Sequence, residues 1–90
     1  MKVIVKYMAQ LKQAAGAGAE ETEVDMGCTV AAFVHRLGGR PALRKLLLDG
    51  ESKPQRALLV FVGDEQVSSD SARLLKDGDQ LTLLTPMAGG

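Results

Sequence analysis

Few residues in this 90-residue chain can do chemistry, and the most conspicuous stand at its end, LLTPMAGG, residues 83–90. Gly89 and Gly90 add almost nothing to packing and lose more backbone entropy on ordering than any other pair. Two readings follow. The pair is a frayed end, or it is kept bare so that something can reach the carboxylate of Gly90. The other candidates are weaker. Cys28 is the single cysteine, so no internal disulfide forms. No activating group stands beside it in sequence, and it reads as a small buried residue rather than a nucleophile. His35 has no Cys or His at ligand spacing; it reads as a solvated helix residue, and no metal site is expected.

Composition narrows the classes. Eleven basic residues balance eleven acidic ones, and the pI is near 6.6. That excludes the basic footprint of a nucleic-acid binder. Aromatics are limited to Tyr7, Phe33 and Phe61, too few for base-stacking platforms. The opening MKVIVKYM is too short and too charged for a signal peptide or a membrane span. The expectation is a cytoplasmic protein with no membrane partner. The apolar fraction is 46% and the charged fraction 24%, ordinary for one globular domain with an aliphatic core.

The elements that must position the tail are legible in the periodicity. KVIVKY, residues 2–7, alternates as a strand, with Val3, Val5 and Tyr7 on one face and Lys2, Ile4 and Lys6 on the other. AQLKQAA, residues 9–15, reads as a turn of helix ended by Gly16 and Gly18. Residues 20–26 read as a second strand with Thr22, Val24 and Met26 on one face and a solvated acidic face opposite. Thr29 is suited to cap a helix carrying Val30, Phe33, Val34 and Leu37 on one stripe, stopped by Gly38-Gly39. Pro41 opens a second helix that buries Leu43, Leu46 and Leu47.

A polar loop over residues 50–56 leads to ALLVFV, residues 57–62, read as an interior strand. Gly63-Asp64 turns it into a short return, Glu65 to Val67. In residues 68–76, Leu74 and Leu75 are expected to dip into the core. Asp77-Gly78-Asp79 is a tight structural turn, and QLTLLT, residues 80–85, is the last strand. One helical region laid on a mixed sheet of four or five strands buries both apolar surfaces. The first and last strands then run parallel at its centre.

That order, with LLKDGDQLTLLTPMAGG from Leu74, the opening MKVIVKYMAQLKQAAG and the VGDEQV hairpin at 62–67, resembles the ubiquitin-like β-grasp sulfur carriers. These are the small subunit of molybdopterin synthase (MoaD), the thiamine carrier (ThiS) and the cysteine-type carrier (CysO). The resemblance spans nearly the whole chain and is weakest over 38–56. Thr85 stands where many molybdopterin-type chains have a first proline before the tail.

The resemblance implies an α+β, ubiquitin-like β-grasp domain over 1–85, its mixed sheet packed on one main helix, and a flexible diglycine tail over 86–90. It implies a carrier rather than an enzyme. The Gly90 carboxylate would be adenylated and converted to a thiocarboxylate that donates sulfur in molybdenum cofactor biosynthesis. Alternatives are cysteine or thiamine biosynthesis, or a protein modifier joined through Gly90 to a lysine. The implied partners are a ubiquitin-activating-type (MoeB/ThiF-like) adenylyltransferase that uses ATP and Mg, a persulfide donor, and an acceptor such as the large molybdopterin synthase subunit. The chain itself would bind no cofactor. Gly89 and Ala88 suit an extended backbone threading a narrow channel, Pro86 stiffens the exit, and Met87 can fill a pocket. By the period of two, Leu84, Phe61 and Ile4 are expected to face outward as a partner-binding surface. Lys2, Lys6, Arg44 and Lys45 read as solvated, any of them available to pair with a partner. A plain β-grasp binding module with incidental glycines is the remaining reading.

Overall fold

The computed structural model describes residues 1–85. Eight elements follow in the order β1 (Lys2–Tyr7), α1 (Gln10–Ala15), β2 (Ala19–Glu23), α2 (Val30–Leu37), α3 (Pro41–Leu47), β3 (Leu59–Val62), β4 (Glu65–Val67) and β5 (Gln80–Leu84). The strands form one sheet in the order β2-β1-β5-β3-β4. Only the β1–β5 pair is parallel. The sheet is thus mixed, with first and last strands side by side in its interior and the helices on one face. This is the ubiquitin-like β-grasp architecture.

The core is aliphatic. Val3, Val5 and Tyr7 from β1, Val60 and Val62 from β3, and Leu81 and Leu83 from β5 meet Leu11, Val30, Phe33, Val34, Leu37, Leu43 and Leu47 from the helices. Burial alternates along β1, β3 and β5 with period two, so each strand offers its other face to solvent. Thr29 caps α2 as expected: its Oγ1 accepts the Ala32 N–H at 3.1 Å. The next free amides of that helix, Val30 and Ala31, donate to the carbonyls of Arg73 and Ser71. The 71–75 segment is therefore tied to the helix N-terminus rather than loose.

Two local expectations are corrected. The second strand ends at Glu23, and Met26 is 88% exposed, because Gly27 at φ +89 turns the chain before Met26 can face the core. Leu75 is buried but Leu74 is 57% exposed. Leu75 N–H bonds the Cys28 carbonyl, and that extended pairing sends the adjacent side chain outward. Glu20 keeps the parity of Thr22, opposite to Glu21 and Glu23, as the period of two requires. It pairs with Val5 across the sheet and lies on the helix side, where Arg40 meets it.

The 48–58 connection is held by its own hydrogen bonds. Asp49 Oδ1 accepts the amides of Glu51 and Lys53 at 2.8 and 3.1 Å, and those bonds hold its carboxyl below the usual carboxylate range. Gln55 Nε2 donates to the carbonyls of Lys45 and Leu48, closing the end of α3.

Candidate functional site

The site is built at the root of the tail. β5 has a neighbour on each side: Leu83 lies opposite Tyr7 of β1 and Val60 of β3, and Leu84 lies opposite Leu59. Met8 N–H donates to the Leu83 carbonyl at 3.1 Å, extending the parallel pairing past the end of β1. The backbone entering the tail is thus fixed on both flanks up to its last two described residues. Gly90, Gly89, Ala88, Met87 and Pro86 lie outside the described residues.

The other end of β5 is locked as well. Asp77-Gly78-Asp79 is a turn, with Gly78 at φ +86. Its bonds run to β1: Asp77 Oδ1 accepts Lys2 N–H, and Asp79 O accepts Ile4 N–H.

The outward face of the sheet gathers Ile4, Lys6, Leu59, Phe61, Thr82 and Leu84. Phe61 lies opposite Thr82, which lies opposite Lys6 on β1. Ile4 is 38% exposed; Leu59, Phe61, Thr82 and Leu84 are half-buried. Leu81 and Leu83, one residue away, are fully buried. The expected facing of Ile4, Phe61 and Leu84 is therefore what the register gives. Sequence reasoning did not single out Leu59, which shares the parity of Phe61, or Met8, which is 46% exposed beside the tail root.

On the helix side of the same end sits a polar cluster that sequence reasoning missed. Arg40 Nη1 donates to Glu20 Oε1 at 2.6 Å and to the Tyr7 hydroxyl at 3.4 Å, and Nη2 donates to the Ala15 carbonyl at 3.3 Å. Arg40 holds the Glu20 carboxyl below its ordinary range. Burial, with Glu20 nearby, pushes the Tyr7 hydroxyl up to about 12. One side chain joins β1, β2, α1 and the start of α3. The available signal was an arginine at a helix N-cap with no side-chain cap of its own, a position that favours short polar residues.

Cys28 is half-buried, and burial pushes its thiol up, away from the thiolate a nucleophile needs. Among the described residues no group of three or more His, Cys, Asp or Glu is placed to hold a metal. Nor is any helix among them long and apolar enough to cross a membrane.

The ThiS family model matches residues 5–90. Comparison with the curated proteins gives no match. Among solved structures, SAMP1 from Haloferax volcanii superposes with a TM-score of 0.87 at 25% identity, covering 100% of each chain. A Pyrococcus furiosus protein described as molybdopterin converting factor subunit 1 gives 0.74 at 31%, covering 97% of this chain and 99% of that one. A chain of the Amycolatopsis orientalis BexX/CysO complex gives 0.64 at 34%, covering 98% and 99%.

Proposed function

We propose that this chain, which belongs to the ThiS family of ubiquitin-like sulfur carriers, presents the Gly90 carboxylate to an adenylyltransferase and carries sulfur there as a thiocarboxylate for molybdopterin biosynthesis. A carboxylate is a poor electrophile because it is anionic. Attack of its oxygen on the α-phosphorus of ATP expels pyrophosphate and makes a mixed anhydride. Sulfide then adds at the acyl carbon, the C–O bond to AMP breaks, and –COS⁻ remains. Drawing that sulfide from a protein persulfide consumes a thiol, which supplies the two electrons. The partner supplies ATP, Mg and the catalytic groups, in the cytoplasm. The carrier supplies a bare reacting end on a fixed base.

The observation that carries this reading is the setting of β5. It is bracketed by β1 and β3 and paired up to Leu84, so the five residues after Thr85 start from a rigid point. Rigidity there lowers the entropy lost on entering another enzyme's site. Beside it, Ile4, Leu59, Phe61 and Leu84 form an apolar outward surface suited to docking.

Two observations keep second readings in view. Identity of 34% to a chain of the BexX/CysO complex favours delivery to a cysteine-type acceptor. The likeness to SAMP1, a small archaeal modifier protein, favours attack of a lysine on the same activated carbonyl. The test is intact mass after incubation with ATP, Mg, a MoeB/ThiF-like adenylyltransferase and sulfide, beside a chain lacking Gly90. Exchange of one oxygen for sulfur, absent in the truncation, is the expected result. An unmodified chain, with an adenylyltransferase active on its own carrier, overturns the proposal. Isopeptide-linked Gly90 on other proteins selects the modifier reading.

A further inference from the structure

We propose that Lys6 is the charge by which the adenylyltransferase recognises the outward face, and that the enzyme's docking surface sets a carboxylate within an apolar patch. This rests on the carrier reading above.

Two lysines share the outward face of one strand but not the same surroundings. The period of two puts Lys2, Ile4 and Lys6 on the outward face of β1. Lys2 is answered within the molecule: its Nζ lies 3.3 Å from Glu21 Oε1. Lys6 is not. Its cross-strand neighbours are Ala19 on β2 and Thr82 on β5, neither acidic, and Glu21 on the diagonal is engaged with Lys2. Among the described residues Lys6 has no ion-pair partner and its ammonium makes no hydrogen bond.

A lysine of this kind often guards an exposed sheet edge against pairing with other chains. That explanation does not apply, because β1 is flanked by β2 and β5. The position of Lys6 instead makes it part of the apolar surface. It stands in the row Lys6, Thr82, Phe61 across three strands, two residues from Ile4 and two from exposed Met8. Its methylene stem can continue that surface while the ammonium stays in water. A partner covering Ile4, Phe61 and Leu84 must cover this cation too. Desolvating it unpaired is costly, so a fitting partner offers an anion, and one offering only apolar groups or a cation is rejected.

The occupant is the adenylyltransferase because it is the one partner common to every delivery route considered above. Sulfur transfer and lysine conjugation both begin with activation of Gly90.

The test measures thiocarboxylate formation against carrier concentration, using the MoeB/ThiF-like adenylyltransferase of the same genome. Wild type is compared with Lys6→Glu, Lys6→Gln and Lys45→Glu, a reversal on α3 at the opposite face. Thermal melts check that each folds. Lys6→Glu is expected to lose on the order of tenfold to a hundredfold in kcat/KM, almost all in KM, and Lys6→Gln several-fold. Lys45→Glu stays within about twofold, and raising salt slows wild type more than Lys6→Gln. The inference is overturned if Lys6→Glu stays within twofold, if the loss falls in kcat with KM unchanged, or if Lys45→Glu does equal harm. It is also overturned if Lys6 matters only to the acceptor enzyme. A wild-type chain that is never converted sinks the carrier reading itself, a separate outcome.

Discussion

Asp77 grips Lys2 across 75 residues of sequence: its Oδ1 accepts the Lys2 amide at 2.8 Å, and the Lys2 carbonyl accepts the amide of the next residue, Gly78, at 2.7 Å. Parallel strands cannot be joined by a tight hairpin that would set their register. Here the turn before β5 sets it, by seizing the first residue of β1. Asp79 completes the clamp, its Oδ2 accepting the Lys76 amide and its carbonyl the Ile4 amide. The strand that leads into the tail is thereby fixed at its start as firmly as at its end.

Asp77→Ala should therefore destabilise the domain by about 1 kcal/mol, the net worth of an exposed charged hydrogen bond. For a domain this small that lowers the melting temperature by about 4–8 °C. Asp77→Asn keeps an acceptor oxygen and should lose less than half as much. Thermal melts followed by circular dichroism decide it; an alanine variant that melts with wild type would show that the strand ladder alone sets the register.

Much of this frame was legible because each strand carries one apolar parity and the helix stripe one period. The alternation of β1 and β5 determined which residues face the helices and which face out. What was not legible had no local signature. Parity puts Glu20 on the helix side with Thr22, but nothing local shows that Arg40, twenty residues on, compensates it there. Met26 continues the apolar alternation of β2, yet a glycine turn ends the strand first. The pairing of residues 71–75 with the start of α2 depends on free helix amides that only the fold brings near. At the site, the facing of Ile4, Phe61 and Leu84 followed from parity, whereas Met8 and Leu59 came into view only with the register.

Gly38 shows the same divide and gives a second prediction. From sequence it reads as a helix stop, a role for conformational freedom. Its φ is −67, open to any residue, so freedom is not what the position requires. A Cβ there would come within 2.5 Å of Leu48 Cδ1, and Leu48 is buried with little room to retreat. Gly38→Ala should cost about 1–3 kcal/mol through overpacking. Pairing it with Leu48→Ala should recover part of that loss, and chemical denaturation of the single and double variants measures the coupling.

Tyr7 makes the protein sensitive to alkali. Burial, with Glu20 nearby, pushes its hydroxyl up to about 12 in the fold, against about 10 in an unfolded chain. The folded state holds the proton more tightly. The associated stability is complete below about pH 10 and is lost as pH rises through 12, a total of about 2–3 kcal/mol. Tyr7 is the only tyrosine, so near-ultraviolet absorbance follows it without overlap. A midpoint at the ordinary tyrosine value in folded protein would refute the buried, Glu20-neighboured hydroxyl. Tyr7→Phe should flatten the alkaline limb of the stability curve.

The acid limb tests the other end of the same cluster. Arg40 lowers the Glu20 pKa, so the pair stabilises above the unfolded value of about 4.3 and fades as pH falls through the folded one. Both side chains are a third or more exposed, which screens the gain to about 0.5–1 kcal/mol. Arg40→Met should remove that increment at pH 7 and leave a shallower loss between pH 5 and 3. Denaturation midpoints across that range are the measurement; an unchanged acid slope would place the stabilising role with the Ala15 contact instead.

The outward face and the tail should fail in different ways when altered, and that difference tests the division of labour proposed for them. Phe61 is half-buried in the middle of the outward face, opposite Thr82, and carries no group that reacts. Truncating an aromatic at the centre of an interface commonly costs about 1–2 kcal/mol. Phe61→Ala should raise KM for the adenylyltransferase about tenfold while kcat holds, because a carrier that does dock still delivers the same carboxylate. Removing Gly90 moves the carboxylate one residue short of the reacting position. Docking then survives, product does not, and the truncated chain should compete with wild type at a concentration near the wild-type KM. Failure of the truncated chain to compete would mean that the tail, not the sheet face, supplies most of the binding.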